Sequence, residues 1–330
     1  MILSKNNLLR LFLSLLFCHI IIGAIASDKK DCSDTSHRLI IAGYLANYRM
    51  ENYNLDNLKY VDRLYYFSVC PNENGRLEIS EKDVANIKLI KSKLSASQSL
   101  FLVVGGWTQS KNIPYMASKK SRRKAFVKNV TEFCKTSGLQ GVDLDWEDYP
   151  AEVNKEDFAK LVKDFYKGLH SEGLAFTIAL GVSDKKIKMA VSSLPYVNEI
   201  NIMSYGKFDA AGNQAPMNLL QGWLQDYVNA SVPKEKLIVG VPFYGKRLAN
   251  KNDNSPVAVP FAEIISQTQP DRSVNWFKNY SYNGLQLIRE KTKFLRENGY
   301  RGIMAWELSQ DLPVTSELSL LNTIYQINVQ

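Results

Sequence analysis

The chain has 330 residues, 45% of them apolar, with 41 Lys and Arg against 33 Asp and Glu and a formal charge of +8. That balance suits a folded domain and excludes a collagen-like or disordered chain. The basic excess is thinly spread, densest at Lys119, Lys120, Arg122, Arg123 and Lys124, with no RNA- or DNA-binding motif around it; it reads as a solvated surface with no nucleic-acid partner.

The first element in chain order is a targeting segment. Lys5 and Arg10 precede an apolar run from Leu11 to Ile22, and Ala24-Ile25-Ala26 puts small residues at a cleavage position. This is the pattern of a secretory signal peptide over residues 1–26. The run, of about a dozen residues, is shorter than the roughly 20 that a helical anchor needs. The mature product, residues 27–330, is expected to be secreted, monomeric and free of the membrane. Cys18 leaves with the signal, and Cys32, Cys70 and Cys134 remain. An odd set permits one bridge and a free thiol, or no bridge, and both stay open. Neither C-x-x-C nor H-E-x-x-H occurs, so no metal site, thiol mechanism or cofactor is implied.

Apolar runs of strand length then recur at Leu39–Tyr44, Arg63–Phe67, Leu100–Val104, Gly141–Trp146, Ala175–Leu180, Glu199–Tyr205, Leu237–Val241 and Gly302–Trp306. Charged stretches of helical period separate most of them. From Phe158 to Phe165, apolar residues fall at i, i+3, i+4 and i+7. Asn283–Asn298 behaves likewise, with Leu285, Ile288, Thr292 and Leu295 on one side and Gly299 closing the helix. Strands alternating with helices make a parallel sheet. Eight evenly spaced units without a G-x-G-x-x-G phosphate turn favour a closed α/β architecture, the (β/α)8 TIM barrel, over an open doubly wound sheet. The polar stretch Gly245–Tyr282 reads as a long loop after the seventh strand, too short for a domain of its own. One domain is expected.

Chemistry concentrates in Gly141-Val142-Asp143-Leu144-Asp145-Trp146-Glu147. In a strand, Asp143, Asp145 and Glu147 share one face, and Val142, Leu144 and Trp146 the other. With the apolar set against outer helices, the acids line the barrel interior, where ionising all of them is costly and protons should be shared. Glu147 falls at the carboxyl end of its strand, where barrel active sites open. A carboxyl kept protonated there is a general acid. A D-x-D pair alone is common; here the acids replace core positions in an apolar strand.

These residues resemble the D-G-x-D-x-D-x-E signature of the family 18 glycoside hydrolases, the chitinases, in a short form without a full insertion domain. Val104-Gly105-Gly106-Trp107 resembles the family's glycine pair after the third strand. Ile202-Met203-Ser204-Tyr205 resembles its M-x-Y sixth strand, Val239–Gly245 its G-x-P-F-Y-G seventh, and Gly302–Glu307 its eighth. The resemblance implies cleavage of β-1,4-linked N-acetylglucosamine, with chitin or its oligosaccharides as partner. Glu147 would protonate the leaving oxygen, and the substrate's own 2-acetamido oxygen would be the nucleophile. Asp145 would orient the acetamide, Asp143 would share a proton with Asp145, and Tyr205 would hold the acetamide oxygen. Trp306 would floor the sugar site, with Met203, Trp107, Gly106, Tyr44, Phe67 and Tyr244 lining it. Taken singly, such aromatics are more often core.

Three positions depart from the family pattern. Gln140 replaces the first Asp, with an expected effect on local hydrogen bonding alone. Asp148 is an extra acid before Tyr149-Pro150. Gly206 follows Tyr205 where many active members place an Asp that contacts the sugar beside the cleaved bond, and Asp209 is a candidate substitute from the loop. The short excursion suggests an open groove. Two other functions stay in view: a chitin-binding lectin, and an endo-β-N-acetylglucosaminidase acting on N-glycans or a peptidoglycan-related substrate. Asn129, Asn229 and Asn279 head N-glycosylation triplets.

Overall fold

The computed structural model describes residues 38–248, 257–268 and 271–329. The expected signal peptide, Cys32 and part of the excursion lie outside them. Within these bounds, alternating apolar runs and amphipathic helices build a closed parallel barrel. Its strands are β1 (Ile40–Ala46), β2 (Arg63–Pro71), β3 (Ser99–Gly105), β4 (Gly141–Asp145), β5 (Ala175–Leu180), β6 (Glu199–Ile202), β7 (Leu237–Pro242) and β8 (Gly302–Trp306). Each pairs in parallel with the next, and β8 closes on β1 through Ile41↔Ile303 and its neighbours. The helices α1 (Glu81–Lys93), α2 (Lys120–Ser137), α3 (Lys155–His170), α4 (Asp184–Ser193), α5 (Met217–Asn229), α6 (Leu285–Glu297) and α7 (Leu320–Val329) follow β2 to β8 in turn, while two short 3-10 helices follow β1.

The strand period divides the core into two apolar regions. Outward residues such as Val142, Leu144 and Trp146 pack with Phe158, Leu161 and Phe165 of α3 between barrel and helices. Inward residues Tyr44, Tyr65, Phe67, Phe101, Val103 and Met304 fill the barrel itself. The helix α3 is set by its own sequence: Asn154 caps it by accepting from the Glu156 and Asp157 amides, both at 3.0 Å. Its buried stripe is Phe158, Leu161, Val162, Phe165 and Leu169. Burying each such side chain contributes about 1.5–3 kcal/mol. Gly299 takes φ +73 just past α6, the left-handed turn that ends a helix without a Cβ penalty.

Two strands stop earlier than their apolar runs. Gly106 N donates to the Asp145 carbonyl at 2.7 Å, the last bond of the β3–β4 ladder, and Trp146 lies beyond it. On β6, the Ser204 hydroxyl donates to Gly240 O at 2.8 Å in place of a backbone ladder bond. Conversely, β2 runs on to Pro71, where Cys70 and Pro71 pair antiparallel with Leu77–Glu78. The excursion after β7 forms short antiparallel strands, Tyr244–Lys246, Ala258–Pro260, Trp276–Phe277 and Tyr280–Ser281, with the helix Phe261–Ser266.

At the amino-terminal end of the barrel, Arg63 of β2 pairs with the buried Glu199 of β6 at 3.2 Å, and Arg301 reaches the same carboxylate at 3.3 Å. Cys70 and Cys134 are free thiols. The basic stretch before and within α2 is not uniformly solvated: Arg123 is buried, bonding Asp164 at 2.9 Å and the Ala117 carbonyl at 2.6 Å. Helical period turns that one residue of the cluster inward, against α3.

Candidate active site

Strand β4 carries its acids inward, as its alternation requires. Asp143 is wholly buried and accepts three hydrogen bonds: Thr177 Oγ1 at 2.6 Å and Asn201 Nδ2 at 3.0 Å on one oxygen, Tyr44 Oη at 2.8 Å on the other. Thr177 lies beside it in the β4–β5 register. Asn201 of β6 also donates to Tyr44 Oη at 3.0 Å and accepts from Tyr65 Oη at 3.3 Å, and Tyr65 accepts from Arg63 at 3.3 Å. A polar chain therefore descends the barrel axis from Asp143 to the Arg63–Glu199 pair. Burial pushes Asp143 up to about 6, while the three donors and the Arg63 charge restrain the rise. Every bond it accepts suits a carboxylate.

Asp145 sits one step higher, 3% exposed, and its Oδ1 has no hydrogen-bond partner. Burial, then the charges of Glu147 and Asp143, raise it well above the usual carboxylate range, with Lys186 opposing. Asp145 is thus the acid of the row best placed to hold a proton. Glu147 lies just past the strand end, half-buried. Burial pushes it up to about 7, with Lys186 opposing the rise and Asp148 adding to it. Its amide donates to Ser110 Oγ at 3.1 Å, and that hydroxyl donates to Gly106 O at 2.8 Å, so the loop after β3 fixes the backbone of Glu147.

Aromatic groups complete the mouth. The Tyr205 ring lies edge-on to Tyr244, centroids 6.4 Å apart. Burial, then Tyr244, Asp145, Glu147 and Asp143, raise the Tyr205 phenol well above its ordinary value, so it remains a donor. A Cβ at Gly240 would lie 2.5 Å from the Ile202 carbonyl oxygen and 2.6 Å from a Tyr205 ring carbon, so only glycine fits beside this ring. Trp306, half-buried at the end of β8, packs over Tyr44 at 5.5 Å and edge-on to Phe67 at 4.7 Å. Gly106, at φ +107, leaves room for the Phe67 ring. Met203 packs against the same interior group. Trp107 is 56% exposed and stacks on Tyr149 at 4.9 Å.

The structure therefore brings Asp143, Asp145, Tyr205, Tyr244 and Glu147 within electrostatic reach of one another. It moves two of the expected lining residues beneath the surface. Tyr44 is 2% exposed and is committed to Asp143, and Phe67 is 6% exposed and buttresses Trp306. Both act on the site from below, because their inward period on β1 and β2 places them under the mouth. Gln140 bonds Leu100 N and Gly138 O at the far end of β4. Asp148 pairs with Lys186 at 3.0 Å and Lys185 at 3.1 Å. Asp209 is engaged in its own turn, accepting from Ala211 N, Asn213 N and Asn213 Nδ2, and does not replace the acid missing at 206.

Sequence reasoning passed over Thr177, Asn201, Ser110 and Lys186. Thr177 and Asn201 carried a signal: each is a lone polar residue in an apolar strand, at an inward period. Lys186 carried none, since only the fold brings α4 beside β4.

The family model of the glycosyl hydrolases family 18 matches residues 40–311. Chitinase 1 of Aphanocladium album is 30% identical over 299 residues, 74% of this chain and 68% of that protein. Chitotriosidase-1 of Mus musculus is 26% identical over 328 residues, 79% of this chain and 65% of that protein. The chain thus spans about two thirds of the length of these relatives. Among solved structures, the family 18 chitinase ChiB from the chitin utilization locus of Flavobacterium johnsoniae superposes with a TM-score of 0.78 at 25% identity, covering 89% of this chain and 94% of that one. A closed barrel with two acids on its fourth strand and a third just past its end, and this match over nearly all the described residues, place the chain in family 18 of the glycosyl hydrolases, as a chitinase-like member.

Proposed function

We propose that this protein hydrolyses β-1,4-linked N-acetylglucosamine polymers, chitin above all, with retention and with Glu147 as proton donor. The observation that carries the reading is Glu147 at the barrel mouth, held up to about 7 above two buried acids. A carboxyl with that value still carries its proton near neutrality and can give it to the leaving glycosidic oxygen. The 2-acetamido oxygen then attacks the anomeric carbon as the glycosidic bond breaks, forming an oxazolinium ion that water opens. Glu147, now ionised, takes the proton of that water. Asp145, protonated at rest, passes its proton to Asp143 as the substrate binds and accepts the acetamide N–H on its unpaired oxygen. Ionised in this way, Asp145 offsets the positive charge that develops. The Tyr205 hydroxyl holds the acetamide oxygen on line, and the half-exposed Trp306 is the apolar floor for the pyranose.

The same reading includes a signal peptide over 1–26, secretion, one catalytic barrel over 27–330, a monomer, and a groove open enough for internal cutting. Turnover of a fluorogenic chitobioside and of a high-mannose glycopeptide, by the wild type and by Glu147→Gln, tests it. Cleavage of the chitobioside that Glu147→Gln loses supports the proposal. Binding without turnover in the wild type would make the protein a lectin, and cleavage of the glycopeptide alone would make it an N-glycan endoglycosidase.

A further inference from the structure

Beside Gly206, where the resemblance implies an acid in many active members, the structure holds a cation. Gly206 has φ +72, and a Cβ on it would lie 3.3 Å from Tyr244 Oη and 3.4 Å from Lys246 Nζ. The Lys246 ammonium, half-buried, donates to the Gly206 carbonyl at 2.8 Å and lies 5.8 Å from the centre of the Phe208 ring. No carboxylate pairs with it among the described residues. Asp209, in the loop after Gly206, is occupied by its own turn. Lys207 adds a second positive charge, and burial together with Lys207 lowers the Lys246 value from that of a free lysine. Among the described residues, one of its three N–H donors is used and the charge has no counter-ion.

A half-buried ammonium without a counter-ion is poorly solvated, and an anion brought to it supplies what is missing. Gly206 adjoins Tyr205 in the chain, Tyr244 packs on Tyr205, and the Glu147 charge reaches Tyr244. The ammonium therefore lies on the Tyr244 side of the mouth, which the proposed function makes the position beside the cleaved bond. We propose that Lys246, exposed to that position by Gly206, makes the enzyme select a β-1,4-linked N-acetylhexosamine glycan that carries a carboxylate on the sugar beside the scissile linkage. This deepens the reading above and rests on it. The acetamide remains the nucleophile and Glu147 the acid; the change lies in which neighbouring sugar is bound best.

Two tetrasaccharides separate the outcomes: neutral chitotetraose, and an alternating N-acetylglucosamine and N-acetylmuramic acid tetrasaccharide, whose lactyl group supplies the carboxylate. Binding is measured by titration calorimetry on the Glu147→Gln protein, with and without Lys246→Gln, so that the result does not depend on turnover. The acidic sugar should bind about tenfold more tightly at low salt, as a partly desolvated charge-assisted hydrogen bond warrants. That ratio should fall toward one in the Lys246→Gln background and in high salt. In the wild type, kcat/KM should show the same preference, and Gly206→Asp, which gives Lys246 an internal partner, should reverse it. Equal or tighter binding of the neutral sugar to Glu147→Gln would overturn the inference, as would a preference that survives Lys246→Gln. Failure of wild-type turnover on both sugars, with the binding preference intact, would instead remove the catalytic reading.

Discussion

Lys186 and Asp148 set the charge around Glu147, and replacing each should move the pH profile in opposite directions. Lys186 enters from α4, 7% exposed, with its ammonium 3.0 Å from Asp148. The groups acting on Glu147 and its neighbour Asp145 are this lysine, Asp148, Asp143 and each other, with Tyr205 and Tyr244 protonated alongside. Glu147 works as an acid only while it holds its proton, so kcat/KM should fall as pH rises through its value of about 7. Lys186→Met removes the charge that opposes the rise and keeps a side chain of similar bulk. A nearby full charge shifts a carboxyl by about 1–3 pKa units, and Asp148 already neutralises part of this one, so the basic limb should move up by about one pH unit. Asp148→Asn removes the charge that adds to the rise and releases Lys186 from its partner. The limb should then move down, by roughly a few tenths of a pH unit, because Asp148 is partly exposed and solvent screens it. The assay is kcat/KM for a fluorogenic chitobioside across the pH range, with the limb read as a property of the coupled Asp145–Glu147 pair. Shifts of the same sign in the two variants, or none in a stably folded Lys186→Met, would refute this account.

Glu147 also links catalysis to stability. Its value is raised on folding, from 4.5 to about 7, so its contribution is fully present below the unfolded value and is lost as pH rises through the folded one. Glu147→Gln escapes that loss: its melting temperature should gain on the wild type between pH 4.5 and 7 and hold the gain above that. Arg63→Met should destabilise the barrel by about 3 kcal/mol in urea, because it leaves the buried Glu199 with Arg301 alone. A loss within experimental error would mean that Arg301 compensates fully. Trp306→Ala should lower kcat/KM by roughly 10- to 100-fold through loss of the sugar's apolar floor, mainly in KM; a change confined to kcat would point instead to disturbance of Tyr44 and Asp143 beneath it.

The barrel was legible because its two periods are local. Alternation in β4 assigns Val142, Leu144 and Trp146 to the helices and Asp143 and Asp145 to the interior, and the 3.6-residue spacing of α3 and α6 marks the faces that cover them. The end of β6 was not legible because a side-chain atom replaces a ladder bond there, as Ser204 Oγ does at Gly240. The same distinction runs through the site. The row of acids announces itself because polar groups in an apolar strand are costly unless something answers them. Thr177, Asn201 and Tyr44 answer Asp143, and the first two stand out by the same logic once the inward period is applied to β5 and β6. The charges that tune the row are of another kind. Lys186 sits in a charged helix and Lys246 follows a motif glycine, positions where a lysine arouses no comment. Each matters only because the closed barrel brings α4 beside Asp148 and the strand after β7 beside Gly206. An inward acid can be recognised from its own strand, whereas the charge that sets its proton affinity comes from whichever element the fold places alongside.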